Sequence, residues 1–92
     1  MNTRVSIVVH GRVQGVAFRN HTCCRALELG VAGWVRNLPD GSVEGLFEGD
    51  EVSVNALVDW CRHQGSPASR VDRVELCEQA YSGEFADFTI RY

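Results

Sequence analysis

The chain has 92 residues, of which 45% are hydrophobic, and its 9 basic and 12 acidic side chains give a formal net charge of −3. This length fits a single domain over residues 1–92, and the acidic balance argues against a nucleic-acid partner, because domains that bind nucleic acids are usually basic. No apolar run approaches the roughly 20 residues of a membrane helix and no leader pattern is visible, so we expect no membrane partner and a cytoplasmic location.

Two different periodicities predict the first strand and the first helix. At the start of the chain, three apolar side chains occupy alternate positions, as in a strand: Val5, Ile7 and Val9. This strand should end at Gly11. From about Phe18, four side chains recur at three- and four-residue steps, which is typical of one face of a helix: Phe18, Thr22, Ala26 and Leu29. Gly30 is the expected C-terminal cap of this helix.

A hairpin is predicted in the middle of the chain. A strand over Val31–Leu38 is followed by the turn sequence Pro39-Asp40-Gly41, in which glycine suits a positive φ and Asp40 is a turn residue rather than an acid. Alternation then resumes over Ser42–Glu48, and two such strands around a short turn form a hairpin. We expect Gly49 to break the second strand.

The rest of the chain predicts one more helix and a divided last strand. An apolar stripe indicates a helix over Glu51–Gln64, which should stop at Gly65 before Ser66-Pro67. Strands follow over Arg70–Ala80 and Phe85–Arg91. The order βαββαβ, with the last strand divided from the fourth, predicts an α+β ferredoxin-like sandwich: one antiparallel sheet with both helices on one face.

The segment between the first strand and the first helix is a candidate phosphate site. Its two glycines permit a tight turn, and successive N–H groups in such a turn can bind an anion: Gly11, Arg12, Val13, Gln14, Gly15 and Val16. The following helix adds its positive dipole end. Arg19 lies in the first helical turn, where a cation is unfavourable unless an anion is near, and a guanidinium can bind two phosphate oxygens. The alternative is a tight connection followed by a solvated arginine.

Asn37 is the second candidate, at the end of the second predicted strand. Its amide group offers one acceptor and two donors, so it could orient an attacking water and stabilise a negative oxygen. The alternative is a structural role, in which the asparagine bonds its own backbone before Pro39. The residues alone favour this structural role.

Both segments resemble the signatures of the acylphosphatase family. The first signature is similar to Gly11–Arg19, and the second is similar to Gly33–Asn37 with glycines and a valine at matching spacing: Gly41, Val43 and Gly49. Two later segments are also similar to the family: Gly65–Asp72 and Phe85–Tyr92. The resemblance extends over almost the whole chain, from about Thr3.

The resemblance implies an enzyme that hydrolyses acyl phosphates to a carboxylate and inorganic phosphate, without a metal or cofactor. It implies that Arg19 binds the phosphate and that Asn37 positions the nucleophilic water. The main chain of Gly11–Val16 is then the phosphate cradle, and inorganic phosphate or sulfate is an expected ligand. Two alternatives stay open: a carbamoyl-phosphate-handling domain like those of hydrogenase-maturation proteins, and a non-catalytic anion-binding module.

The histidines and cysteines suggest no metal centre. The three histidines lack the spacing of metal ligands: His10, His21 and His63. The four cysteines contain no CxxC pair, so we expect free thiols: Cys23, Cys24, Cys61 and Cys77. We expect a monomer in which Cys24, on the polar face of the first helix, could form an intermolecular disulfide under oxidising conditions.

Overall fold

The computed structural model describes residues 1–92 and contains five strands and two helices. In chain order they are β1 (Asn2–Arg12), α1 (Phe18–Leu29), β2 (Ala32–Asn37), β3 (Val43–Asp50), α2 (Glu51–His63), β4 (Arg70–Gln79) and β5 (Phe88–Arg91). The strands form one sheet in the order β4-β1-β3-β2-β5. The fold is therefore the expected α+β ferredoxin-like arrangement. Its last two strands, β4 and β5, lie at opposite edges of the sheet.

The sheet is mixed, so the prediction of an antiparallel sheet was wrong at one edge. β1 pairs antiparallel with β3 and β4, and β2 pairs antiparallel with β3, but β5 pairs parallel with β2. The reason is the connection from β4 to β5, residues 80–87, which crosses to the opposite edge of the sheet. From there β5 returns in the direction in which β2 already runs.

Two strands are longer than predicted. β1 continues past Gly11 to Arg12, with a register shift between His10 and Gly11 where it pairs with β4. β3 continues through Gly49 to Asp50, because both residues pair with the start of β1. A glycine does not end a strand when it still pairs with a neighbouring strand.

Both helices pack on the same face of the sheet, as predicted. α1 covers β2 and β5, α2 covers β1, β3 and β4, and the two helices contact each other. The predicted inner face of β1 is buried, with at most 3% of each side chain exposed: Val5, Ile7 and Val9. Three of the four residues in the α1 stripe are buried as well: Phe18, Thr22 and Ala26. Neither helix is long and apolar enough to cross a bilayer.

The topology brings two strand ends together. Because β1 and β2 are both antiparallel to β3, they run in the same direction, and their C-terminal ends lie at the same end of the sheet. α1 follows β1 and therefore begins at this end too. The two segments with candidate chemistry, after β1 and at the end of β2, are thus neighbours in space although about 20 residues separate them along the chain.

A buried carboxylate holds the opposite end of the sheet. The Glu48 side chain is on β3 and only 1% exposed. Its Oε2 accepts hydrogen bonds from the Ser82 amide and hydroxyl, both at 2.9 Å, and from the Gly83 amide at 3.4 Å, and it lies 3.6 Å from Arg4 Nη1. Burial alone would raise the pKa of Glu48, but these hydrogen bonds and the Arg4 charge outweigh burial and lower it. Glu48 therefore anchors the 80–87 connection as a carboxylate.

We predict that Glu48→Gln lowers the free energy of unfolding by about 1–3 kcal/mol, because a neutral amide oxygen replaces a charged acceptor of several hydrogen bonds. A lowered folded-state pKa contributes stability above the unfolded pKa of about 4.3 and loses it as pH falls through the folded value. The difference between wild type and variant should therefore shrink as the pH is lowered from 6. Urea unfolding at several pH values measures this, with Glu78→Gln on the exposed face of β4 as the control. A difference that does not change with pH would contradict the role of the carboxylate charge.

Candidate active site

A cavity of about 100 Å³ opens where β1 and β2 end and α1 begins. This volume suits a small anion, since pockets for larger ligands usually measure roughly 300–1,000 Å³. Its walls are formed by eight residues: Val13, Gln14, Gly15, Ala17, Phe18, Arg19, Asn20 and Asn37. Five of the predicted site residues are among them, whereas three lie outside the lining: Gly11, Arg12 and Val16. Both side chains predicted to act, Arg19 and Asn37, therefore face one cavity.

The loop after β1 presents unpaired amides beside this cavity. The main-chain N–H groups from Gln14 to Asn20 donate no hydrogen bond to any backbone or side-chain acceptor of the protein. Gly15 has a positive φ of 74°, which lets the chain turn toward the helix. Val13, only 1% exposed, anchors the start of the loop in the core. Such a run of free N–H groups is what an anion-binding loop requires.

The start of α1 lacks the groups that usually satisfy a helix N-terminus. No side chain caps it, and its first turn contains no acidic residue. The capping position is Ala17, whose φ of 59° is in the left-handed region that residues with a Cβ avoid. No sequence signal marks this conformation of Ala17. The strain and the open N-terminus both lie at the wall of the cavity, where an external anion could compensate them.

Gly11 and Arg12 belong to the sheet rather than to the cavity wall. They are the last residues of β1 and pair with Val71 and Arg70 of β4. A Cβ on Gly11 would lie 2.1 Å from the Arg70 carbonyl oxygen, and the φ of Gly11 is +134°. Glycine is needed here for the close approach of two strands, which then directs the following loop.

Arg19 is half-buried and lies in the cavity wall. Its guanidinium donates to the Arg91 carbonyl oxygen at 3.4 Å and lies 5.1 Å from the centre of the Tyr92 ring. None of the ion pairs in the protein involves Arg19. The end of β5 and the following Tyr92 therefore orient this arginine through a carbonyl and an aromatic ring, while its positive charge has no carboxylate partner.

Asn37 is the last residue of β2, and its side-chain oxygen Oδ1 is buried without a hydrogen-bond partner. The structural role considered for it belongs to another residue. The Asp40 carboxylate accepts hydrogen bonds from the amide and hydroxyl of Ser42, which closes the turn and lowers the pKa of Asp40. A buried polar atom without a partner is unfavourable by about 1–3 kcal/mol. The Asn37 side chain is thus not needed by the turn.

The Gln14 side chain also contributes to the site. The sequence predicted a role only for the main chain of this residue. Its Nε2 donates to the carbonyl oxygens of Leu38 and Ser42 at 2.8 and 2.9 Å. These bonds join the loop after β1 to the turn after Asn37. Nothing in the sequence around Gln14 indicates that its side chain bonds Leu38 and Ser42.

None of the three histidines lines the cavity. The His10 ring contacts Glu75 at 2.8 Å on the exposed side of the sheet, and the His21 ring contacts the Ala17 carbonyl oxygen at 2.9 Å. No group of three or more His, Cys, Asp or Glu residues is arranged to hold a metal ion. The ionisable side chain in the cavity wall is therefore Arg19 alone.

All four thiols are free within the chain. Cys61 is buried on the inner side of α2, and burial raises its pKa to about 12, which makes its thiol a poor nucleophile. Cys23 is partly buried, and Cys24 and Cys77 are exposed. The predicted exposure of Cys24 is confirmed.

We predict that Gly11 and Gly15 differ in their tolerance of a side chain. Gly11→Ala should lower the free energy of unfolding by about 3 kcal/mol or more, since its Cβ meets backbone atoms at a positive φ. Gly15→Ala should lower it by about 1–2 kcal/mol, because only the positive φ is unfavourable and no atom lies within 4 Å of the added Cβ. Urea unfolding measures both values, and equal losses would contradict the sheet role assigned to Gly11.

Comparison with known proteins agrees with this geometry. Residues 5–90 match the model of the family described as Acylphosphatase. The acylphosphatase of Geobacter sulfurreducens is 54% identical over 92 residues, covering 100% of both chains. The crystal structure of acylphosphatase from Bacillus subtilis is similar with a TM-score of 0.93 and 38% identity, again over 100% of both chains. HypF of T. kodakarensis is similar at 32% identity and a TM-score of 0.84, over 99% of this chain and 12% of HypF. With a family model that matches nearly its full length, the chain belongs to the acylphosphatase family.

Proposed function

We propose that this chain hydrolyses the carboxyl–phosphate bond of acyl phosphates, by attack of water on a phosphoryl group held by main-chain amides and by Arg19. The observation that carries the mechanism is the common cavity, which is bordered by residues with free N–H groups in the loop and the first helical turn, by an arginine without a carboxylate partner, and by Asn37. The substrate is a small acyl phosphate, and inorganic phosphate or sulfate is a ligand of the same site.

The cradle and Arg19 bind the phosphoryl group. The N–H groups of the loop and of the first helical turn donate to the phosphate oxygens, and the helix dipole favours their negative charge. The Arg19 guanidinium donates to two oxygens at once and supplies the positive charge that the amides lack. Because these donors are fixed before the substrate arrives, little reorganisation is needed as charge redistributes in the transition state.

Asn37 orients the nucleophile. Asn37 borders the cavity and its buried Oδ1 has no hydrogen-bond partner within the protein, so a small rotation of the side chain lets this oxygen accept a hydrogen bond from a water molecule and direct the water's lone pair toward phosphorus. Holding the water in line behind the bond that breaks converts a bimolecular encounter into a positioned reaction. The side-chain N–H groups of the same residue remain available for an oxygen that becomes more negative in the transition state.

No strong acid or base is required by this chemistry. The leaving group is a carboxylate, which departs without protonation, and phosphoryl transfer depends mainly on positioning and charge stabilisation. The proton of the attacking water passes to an oxygen of the substrate. The position of all three histidines outside the cavity wall is consistent with this step.

We predict that Arg19→Ala and Asn37→Ala each lower kcat/KM for benzoyl phosphate by about 10²- to 10³-fold, the usual effect of removing one positioning or charge-stabilising group. Arg25→Ala, at a half-buried position of α1 outside the cavity wall, and Asn55→Ala, on the surface of α2, are the matched controls and should retain wild-type activity. The assay is run with EDTA, and we expect it to leave the wild-type rate unchanged.

The two substitutions should also differ in which kinetic constant they change. Arg19→Ala should weaken inhibition by inorganic phosphate, since the guanidinium binds the phosphate in every state, whereas Asn37→Ala should lower kcat and leave phosphate inhibition nearly unchanged. Near-normal turnover in either variant would remove that residue from the mechanism. A pH–rate profile that requires a protein base would argue against proton transfer to the substrate.

A carbamoyl-phosphate-handling domain is the second candidate, because a HypF chain is 32% identical over 12% of its own length. Carbamoyl phosphate presents the same phosphoryl group to the cavity, so a parallel assay with carbamoyl and benzoyl phosphate distinguishes the two preferences. A chain that binds phosphate but hydrolyses neither compound would be the non-catalytic anion-binding module.

The location, oligomeric state and partners of the protein are proposals as well. We propose a cytoplasmic monomer that binds neither nucleic acid nor membrane. The exposed Cys24 is the thiol from which we expect an intermolecular disulfide under oxidising conditions. Non-reducing electrophoresis after oxidation should show a dimer that disappears in Cys24→Ser, and a monomer throughout would reject the disulfide.

A further inference from the structure

We infer that the Gln14 side chain is a positioning residue for this reaction: it fixes the turn that carries Asn37 against the loop that binds the phosphate. The inference rests on the proposed function, because it concerns the distance between the bound phosphoryl group and the water held by Asn37. It assigns Gln14 a role that its place in the phosphate-binding loop does not by itself imply.

The two halves of the site are on strands that do not touch. β3 lies between β1 and β2 in the sheet, so the loop after β1 and the end of β2 are two strand spacings apart, roughly 10 Å. No ladder of backbone hydrogen bonds joins β1 to β2 directly. A side chain that passes over the start of β3 is therefore suited to set the distance between the two halves.

Gln14 makes this connection with both N–H groups of one amide. Its Nε2 donates to Leu38 O at 2.8 Å and to Ser42 O at 2.9 Å. Leu38 directly follows Asn37, and Ser42 directly precedes β3, so the two acceptors are the two ends of the turn. A planar NH₂ group that bonds both ends fixes the position and the orientation of the turn together.

The turn is already closed by its own hydrogen bonds. The Leu38 amide donates to Ser42 O at 2.8 Å, the Gly41 amide donates to Leu38 O at 3.2 Å, and Asp40 accepts from Ser42. The bonds from Gln14 are thus second bonds to carbonyl oxygens that the turn uses internally. Their loss should leave the turn folded and change where it stands relative to the loop, which is the expected signature of positioning rather than of folding.

The consequence is kinetic. The phosphate is bound by amides of the loop and by Arg19, neither of which needs the Gln14 side chain, so ground-state binding should survive its removal. The alignment of the water on Asn37 depends on the turn, and a displacement of about 1 Å in a reacting group can lower the rate by about 10²-fold. Gln14 should therefore act on kcat through Asn37.

The test is Gln14→Met, which keeps the length and volume of the side chain but has no donor. We expect kcat for benzoyl phosphate to fall by about 10- to 100-fold, with KM and the inhibition constant of inorganic phosphate changed by less than about threefold. In the Asn37→Ala background the same substitution should cause no further loss, because the group it positions is gone. Gln79→Met is the matched control, since Gln79 is an exposed residue of β4 bound to Arg4 at the other end of the sheet, and it should leave kcat unchanged.

Several outcomes overturn the inference. Wild-type kcat in Gln14→Met, an effect confined to KM and phosphate inhibition, or a full additional loss in the Asn37→Ala background would each remove the positioning role. If Gln14→Met does not fold, Gln14→Asn is measured in the same way, because its shorter amide cannot reach both carbonyls. An active wild type with an unaffected Gln14 variant overturns this inference alone, whereas a wild-type chain that binds phosphate and hydrolyses no benzoyl phosphate overturns the proposed function as well.

Discussion

The site depends on the antiparallel pairing of β3 with both β1 and β2. This pairing makes β1 and β2 run in the same direction, so that the loop after Arg12 and the side chain of Asn37 emerge at the same end of the sheet. It also separates them by the width of β3, which leaves room for an anion between an amide-lined loop and a polar strand end. The helices cover one face of the sheet, and the N-terminus of α1 lies beside the same space. Arg19 and Asn37 are thus contributed by the ends of regular elements, and rigid elements hold reacting groups more accurately than free loops.

Several unpaired polar groups and one strained residue lie at this end of the sheet. The free amides from Gln14 to Asn20, the left-handed φ of Ala17 and the orphaned Oδ1 of Asn37 are each unfavourable in isolation, by roughly 1–3 kcal/mol for the strained or unpaired groups. At the opposite end, Glu48 anchors the connection to β5 through three hydrogen bonds. β5 in turn provides the carbonyl that orients Arg19. The Glu48 anchor therefore supports, through β5, the end of the sheet where we propose that the chemistry takes place.

The sequence predicted the elements and the two side chains that meet at the cavity, because both leave local signals. Periodicity marks the strands and helices, and the glycines around an arginine, together with the resemblance, marked Arg19 and Asn37 for one cavity. The parallel edge was missed because the direction of β5 depends on which edge the 80–87 connection reaches, and no local pattern encodes that choice. Gly11 was assigned to the cradle because a glycine in a loop and a glycine under a neighbouring strand look alike in sequence. The left-handed Ala17 and the reach of Gln14 are set by tertiary contacts, which a single sequence does not display.

The division of work between Asn37 and Asp40 shows how the chain makes a polar residue available. Asn37 lies two residues before Pro39 and Asp40 directly follows it, and either side chain could bond its own backbone and close the turn. A turn needs this bond once, and Asp40 makes it with Ser42, as a carboxylate whose lowered pKa keeps it an acceptor. The Asn37 amide is then left without a local partner at the end of a strand whose direction the sheet fixes. If the two side chains exchanged roles, the turn would remain but the cavity would gain a negative charge facing the phosphate, which Arg19 would have to neutralise before binding substrate. A neutral amide inside and a carboxylate outside is therefore the arrangement that an anionic substrate requires.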